Sequence, residues 1–119
     1  MRKFTITICL IMFGLYSNAQ NEIIEKVKVT NELTEVNIYY ENGALMQHGF
    51  YTKKGELHNS WESYYSNGSK KCLAFYKEGM KVGIWTYWNE GIISKVEYKN
   101  NKIVSIKEFK ESEILKTEI

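Results

Sequence analysis

Short runs of alternating apolar and polar residues, each ending in an aromatic residue and a turn, follow one another along most of this chain. In the stretch 94–99, an extended strand would place Val96 and Tyr98 on one side and Lys95 and Glu97 on the other. Tyr, Phe, Trp, Val and Ile, which suit a pleated surface, dominate these runs. The pattern predicts antiparallel strands with one buried and one solvated face.

One phrase occurs three times, as Tyr-Tyr-Glu-Asn-Gly at 39–43, Tyr-Tyr-Ser-Asn-Gly at 64–68 and Tyr-Trp-Asn-Glu-Gly at 87–91. A second motif, Phe-Tyr followed by a turn, ends in a glycine at 55 and at 79. It recurs at 97–101 as Glu-Tyr-Lys-Asn-Asn, without the glycine. Self-similarity at a period of about 20–50 residues is typical of repeat proteins. Each repeat therefore consists of two strands, each closed by a turn.

Glycine is expected wherever a tight turn needs a positive φ. The Asn-Gly pairs at 42–43 and 67–68 are strong hairpin signals, because both residues tolerate positive φ. Trp61 precedes its turn glycine by seven residues and Trp85 by six, which predicts a bulge in one of these strands. The predicted structural turns lie at Gly43, Gly55, Gly68, Gly79, Gly83 and Gly91.

Four segments follow from the pattern: a signal peptide (1–19), an N-terminal cap strand region (20–35), the hairpin repeats (36–109) and a charged C-terminal tail (110–119) that is frayed or weakly helical. The predicted fold is all-β, an elongated single sheet built from an array of antiparallel β-hairpins. At least three strands with an apolar face are needed for such a sheet to be stable alone.

The N-terminus has the order of a secretory signal: a basic start at 1–3, an apolar run at 4–16, and small residues before Gln20. The run is short for a membrane span, which takes about 20 residues. The sequence therefore predicts export, to the periplasm, cell surface or medium, with cleavage after Ala19 and no membrane span afterwards. An uncleaved N-terminal anchor is the alternative.

Cleavage would remove Arg2 and Lys3, so that the 16 basic residues fall to the same number as the 14 acidic ones. A net charge of zero argues against nucleic acid and against binding to an anionic membrane. Cys9 would leave with the signal, and Cys72 would stand alone, either as a buried apolar residue or as a reactive thiol.

Candidate chemistry is sparse. Two histidines, His48 and His58, are expected beside loops, and with Cys72 they do not make a zinc site. Aspartate is missing from the chain and Gly-x-Ser-x-Gly does not occur, which argues against nucleophilic catalysis. The glutamates are expected on turns and on the polar strand face. We therefore expect no enzyme, no metal and no cofactor.

The repeated phrase Tyr-Tyr-x-Asn-Gly, followed by a Tyr-x-x-Gly turn and the Gly-x-Trp restart at 83–85, resembles the MORN repeat in its variant bacterial form. The chain is similar to the small proteins grouped as YwqK-type antitoxins. The resemblance covers 36–109 and is best in the second repeat. The first repeat has Asn59 where the restart glycine would stand, and the last half-repeat lacks both glycine and tryptophan. The resemblance implies stacked antiparallel hairpins with aromatic residues packed along one sheet.

Two functions remain open from sequence. The first is an exported, non-catalytic module that binds an unidentified protein partner, antitoxin-like by resemblance. The second is a module that binds an envelope glycan through stacked Tyr and Trp. The deciding feature is whether aromatic rings converge on pockets between repeats or lie flat in the sheet. The candidate binding residues are Tyr40, Tyr51, Trp61, Tyr65, Tyr76, Trp85, Trp88 and Tyr98.

Overall fold

The computed structural model describes residues 24–30 and 32–117. The predicted signal peptide at 1–19 lies outside these residues, and so do positions 20–23 and 31 of the predicted cap region and positions 118–119 of the predicted tail. The repeats at 36–109 are described in full.

Nine strands and one short helix make up the described chain. The strands are β1 (Ile24–Thr30), β2 (Leu33–Tyr39), β3 (Leu45–Thr52), β4 (Leu57–Tyr64), β5 (Lys70–Lys77), β6 (Met80–Lys81), β7 (Gly83–Asn89), β8 (Ile92–Lys99) and β9 (Lys102–Lys110). Helix α1 (Glu111–Thr117) follows directly, with acidic Glu111 and Glu113 in its first turn.

All nine strands belong to one open antiparallel sheet. Its order is β1-β2-β3-β4-β5-β7-β8-β9, and β6 pairs with β5 at the side of this path. Successive strands pair as hairpins, as expected where connections are short. The described chain measures 41 × 34 × 29 Å. The prediction of an all-β array of hairpins in a single sheet is confirmed.

The two Asn-Gly turns are three-residue turns, in which only the glycine has a positive φ. In the first, Tyr40 N donates to Ala44 O (2.8 Å) and Gly43 N donates to Tyr40 O (2.9 Å). Gly43 has φ +90°, whereas the side-chain oxygen of Asn42 accepts a hydrogen bond from Ala44 N. Asn42 therefore stabilises the turn through its side chain, and only the glycine of the pair takes the positive φ.

Two-residue turns with two positive φ values occur instead at Glu78-Gly79, Glu90-Gly91 and Asn100-Asn101. The loop that ends at Gly91 is thus one residue shorter than the loop that ends at Gly68. This difference accounts for the spacings of six and seven residues between these tryptophans and their glycines. The predicted bulge is also present, in the pairing of β4 with β5, where the register shifts between Ser63 and Tyr64, whereas the β7–β8 pairing is regular.

A break in the strand just before each of these tryptophans is the common feature of the repeats. Gly83 (φ +74°) forms the break before Trp85; it was predicted as a turn residue but starts β7. Asn59 (φ +59°) takes the same role before Trp61, and the β3–β4 register shifts opposite it. Asn tolerates positive φ better than other side chains. The first repeat therefore keeps the break without the glycine.

The indole rings of Trp61 and Trp85 pack beside these breaks and form hydrogen bonds there. Trp61 Nε1 donates to Phe50 O and Trp85 Nε1 donates to Phe75 O, both at 3.0 Å. The indole of Trp61 lies directly on Gly49, where an added Cβ would come within 2.0 Å of the ring. Gly49 is therefore required by packing, unlike the turn glycines.

The buried side of the sheet, here called the aromatic face, is covered by its own rings. The Trp85 ring lies 4.8 Å from Tyr98 and 5.1 Å from Tyr76 between centroids, and Lys81 Nζ lies 5.6 Å above it. Trp85 is 0% exposed and Trp61 2% exposed. Burial of about 150–250 Å² per aromatic side chain, at about 25 cal/mol per Å², gives each about 4–6 kcal/mol of hydrophobic stabilisation before entropy is counted. The buried apolar residues are Val36, Ile38, Met46, Trp61, Cys72, Ala74, Tyr76, Trp85, Tyr87, Ile93, Val96 and Tyr98, of which Ile93 alone lies on the opposite side.

Gly68→Val is expected to lower the free energy of unfolding by about 2 kcal/mol, because valine must adopt a φ of +91°. No atom lies within 4 Å of an added Cβ there, so the loss comes from the backbone alone. Ser66→Val, in the same turn, should change stability by less than about 0.5 kcal/mol. Thermal unfolding of the two variants compares them, and equal melting temperatures would contradict the turn assignment.

Candidate functional site

Four of the eight candidate aromatic residues lie in the core and are unable to contact a ligand while the sheet is intact. Their rings pack edge-on or tilted against one another in the aromatic face; these residues are Trp61, Tyr76, Trp85 and Tyr98. Tyr40, Tyr51 and Trp88 are half-buried, and Tyr65 is 36% exposed. The positions left for binding therefore lie mainly at the ends of the hairpins.

Tyrosines at the hairpin ends form hydrogen bonds between successive repeats. Tyr40 Oη donates to Tyr64 O at 2.7 Å, and one repeat later Tyr65 Oη donates to Trp88 O at 3.1 Å. Burial, and then the nearby Tyr65, raise the pKa of Tyr40, so that its phenol remains a donor. These hydrogen bonds fix one edge of the array, here called the tyrosine rim.

A groove of about 420 Å³ opens at the tyrosine rim between the second and third repeats. The half-buried indole of Trp88 forms part of its wall, and Lys70 Nζ lies 5.4 Å from the centre of that ring. The wall combines aromatic rings with polar and charged groups from the turn and from the start of α1. Its lining residues are Tyr65, Ser69, Lys70, Trp88, Asn89, Glu90, Gly91, Ile92 and Glu111.

The other side of the sheet, here called the polar face, carries one continuous row of directly opposed residues. Directly paired residues of antiparallel strands lie on the same face, so the register fixes this row. It begins with a lysine, carries His48 and Glu62 on β3 and β4, and ends with two lysines. In strand order the row is Lys26, Asn37, His48, Glu62, Leu73, Thr86, Lys95 and Lys107.

A histidine between two carboxylates is the best-defined cluster of the polar face. His48 Nε2 lies 2.7 Å from Glu35 Oε2, and His48 Nδ1 lies 2.9 Å from Glu62 Oε1. A neutral imidazole has one N–H donor, so both short contacts are hydrogen bonds only when His48 is protonated. Burial alone would lower the pKa of His48, but the hydrogen bonds and charges of Glu35 and Glu62 outweigh it and raise the pKa.

The sequence analysis placed both histidines beside loops, but they lie within strands: His48 in β3 and His58 in β4. His58 Nδ1 accepts a hydrogen bond from Glu78 N at 3.0 Å, which links neighbouring hairpins. Among the described residues, no group of three or more His, Cys, Asp or Glu side chains is placed to hold a metal ion.

Strand β9 forms one edge of the sheet, and all nine of its residues are exposed. Four of them are large and apolar, with 37–51% of their surface exposed. A β-bulge interrupts its pairing with β8 between Glu97 and Tyr98. The exposed apolar residues are Ile103, Val104, Ile106 and Phe109.

Of the features that the sequence analysis did not predict, the close contact at Gly49 has a signal in the sequence, whereas the Glu35–His48–Glu62 cluster has none. A glycine inside a strand, such as Gly49, indicates a close approach of another group. Glu35, His48 and Glu62 come together only through the β2–β3–β4 register, which their spacing does not reveal. The position of β9 at the sheet edge depends on the order of the whole array.

No family model, no curated protein and no solved structure matches the chain. Within the described residues, no helix has the length and apolar character of a membrane span.

His48 is expected to make stability depend on pH. Its pKa is higher in the folded state than the unfolded value of about 6.5, so its contribution is fully present below about 6.5 and is lost as pH rises through the folded pKa. Between pH of about 5.5 and 8, wild type should lose about 1 kcal/mol of stability relative to His48→Gln, a modest value because the pair is partly solvated.

Urea unfolding at several pH values measures this difference. The same comparison in a Glu35→Gln background is the control, since removal of one carboxylate should shrink the pH-dependent part. An unchanged difference in that background would show that Glu35 does not stabilise the imidazolium.

Proposed function

We propose that this protein is an exported, non-catalytic module of MORN-like repeats that binds a protein partner by adding a strand to the free edge at β9. Strand addition uses the unpaired main-chain groups of an edge strand for affinity and alternate side chains for specificity. The observation that carries the proposal is the complete exposure of β9 together with its four large apolar side chains.

The burial of the tryptophans supports the same proposal. Trp61 and Trp85 donate to main-chain carbonyls and are covered by neighbouring rings, so they serve the scaffold. A sheet stabilised in this way is rigid, and a rigid edge loses little entropy when a partner strand pairs with it. Lysines at 102, 107 and 110 limit indiscriminate pairing, as lysines commonly do on edge strands.

The test compares the two edges of the sheet. Ile106→Lys with Phe109→Lys changes β9, and Val27→Lys with Val29→Lys makes the same change on β1, whose valines are also exposed. Proteins captured from an envelope extract by wild type should be lost with the β9 variant, by at least about tenfold in affinity, and kept with the β1 variant. Equal retention by both variants would contradict strand addition at β9.

A second candidate function, glycan binding, is favoured by one observation, the groove at the tyrosine rim. Trp88 and Tyr65 supply aromatic surface, and Asn89, Glu90 and Ser69 supply hydrogen-bonding groups of the kind that bind sugar hydroxyls. Lys70 lies over the Trp88 ring and would have to move for a sugar to stack on that face.

Tryptophan fluorescence titrated with cell-wall fragments and simple glycans tests this function. The expected result is a saturable change that Trp88→Phe abolishes while the far-ultraviolet circular dichroism stays unchanged. Trp61 and Trp85 are buried reporters and give the background signal. The absence of a response in wild type, or the same response in Trp88→Phe, would exclude the groove as a glycan site.

A further inference from the structure

The hairpin formed by β8 and β9 carries two pairs of directly opposed lysines on the polar face. Lys95 pairs with Lys107, and Lys99 pairs with Lys102 beside the turn that joins the two strands. Directly paired residues share a face, and Lys99 stands four residues after Lys95 on the same strand, so all four side chains lie on one side. All four are exposed. Like charges directly opposite each other destabilise a sheet, so each pair lowers the stability of the hairpin.

Neighbouring residues leave this surface positive. On the polar face the hairpin has one carboxylate, Glu97, whose Oε1 accepts a hydrogen bond from Ser105 Oγ at 3.4 Å. The adjoining strand β7 places only the uncharged Ile84, Thr86 and Trp88 on this face. Among the described residues, none of the four lysines forms an ion pair with a carboxylate.

The remaining charges of β9 and α1 do not change this balance. Glu108 and Lys110 pair with Ser94 and Ile92, which belong to the aromatic face, and their charges cancel. The acidic first turn of α1 begins after the end of β9, and its Glu111 lines the groove at the tyrosine rim. The four lysines therefore face one glutamate on their own surface.

Protection of the sheet edge explains only half of this arrangement. Lysines on an edge strand prevent indiscriminate pairing, which accounts for Lys102 and Lys107 on β9. Lys95 and Lys99 stand on β8, which is paired on both sides and needs no such protection. Together the four lysines concentrate positive charge beside the free edge, where an acidic strand pairing with β9 would neutralise it.

Exposed apolar side chains alternate with the two lysines of β9. Ile103 and Ile106 lie between Lys102 and Lys107 in the chain and belong to the aromatic face, where they are 48% and 44% exposed. Val104 is the extra residue of the β-bulge, so a regular strand pairing with β9 has four residues between the positions opposite the two lysines, counted from one to the other. Such a strand would meet positive charge on one face and apolar surface on the other.

We infer that the strand which pairs with β9 is acidic: it carries two carboxylate residues, at positions i and i+4, opposite Lys102 and Lys107, with apolar residues at i+1 and i+3. The inference rests on the proposed function and names the chemical class of its partner. The chain's own β1 is not such a strand, because Lys26 and Lys28 lie on its polar face. Pairing of β1 with the β9 of another copy would add like charges to the lysines already there.

A fluorescein-labelled peptide with Glu-Val-Thr-Val-Glu at its centre tests the inference by fluorescence anisotropy with the purified protein. This motif reads the same in both directions, so the test does not depend on whether the added strand is parallel or antiparallel. The acidic peptide should bind at least about tenfold more tightly than a peptide with glutamine at both glutamates. It should exceed by a similar factor a peptide with Val-Glu-Thr-Glu-Val, which has the same composition but the carboxylates on the other face.

Charge reversal on the protein supplies the complementary test. Lys102→Glu with Lys107→Glu should lose the acidic peptide and bind Lys-Val-Thr-Val-Lys instead, and that gain also shows that the variant is folded. Lys53→Glu with Lys54→Glu is the matched control, since it makes the same change of net charge on an exposed turn between β3 and β4 and should leave binding unchanged.

Equal affinities for the acidic and glutamine peptides, or for the two peptides of equal composition, would overturn the inference, and so would no binding of the acidic peptide at about 1 mM. If Ile106→Lys with Phe109→Lys still abolishes peptide binding in that case, strand addition at β9 stands and only the acidic preference is wrong. The same variant adds positive charge to β9. Tighter binding of the acidic peptide to it would show attraction without strand pairing and would contradict the proposed function as well.

Discussion

The fold depends on a hydrogen bond from a tryptophan indole to a main-chain carbonyl. This bond forms where the strand is interrupted, two residues before the tryptophan. An interrupted β-ladder leaves buried carbonyl groups short of partners, which costs about 1–3 kcal/mol for each unsatisfied group. Trp61 donates to the carbonyl of Phe50, and Trp85 adds a second hydrogen bond to the carbonyl of Phe75, which also accepts from Val82 N. Both indole rings are buried beside the break. The two tryptophans that follow the interruptions therefore belong to the hydrophobic core.

This arrangement explains how a single-layer sheet buries apolar residues without a second layer. Rings from neighbouring strands cover one another, and Lys81 lies over both Trp85 and Tyr98. The smallest side chains stand where the ring of Trp61 needs room, as at Gly49. Aromatic residues used in this way are unavailable for binding, so function is left to the rims, the polar face and the edges.

Those three surfaces have different chemistry, and each suits a different kind of contact. The tyrosine rim presents an open groove with aromatic and polar walls. The polar face carries the Glu35–His48–Glu62 cluster, with lysines on the strands at both sides of the sheet. The β9 edge presents main-chain groups and apolar side chains to a strand. A repeat array separates these surfaces along one rigid body, since each hairpin contacts mainly its neighbours.

The sequence by itself determined the strands, the hairpin order and the face to which Cys72, Ala74, Tyr76, Val96 and Tyr98 belong. These follow from a period of two and from turn residues, which are local properties of the chain. It also identified positions that need positive φ, although it took Gly83 for a turn. Only the tertiary structure decided which aromatic rings are buried, that Asn59 replaces a glycine, and that Glu35, His48 and Glu62 meet. These depend on register between strands and on ring packing, where residues far apart in the chain compete for the same space.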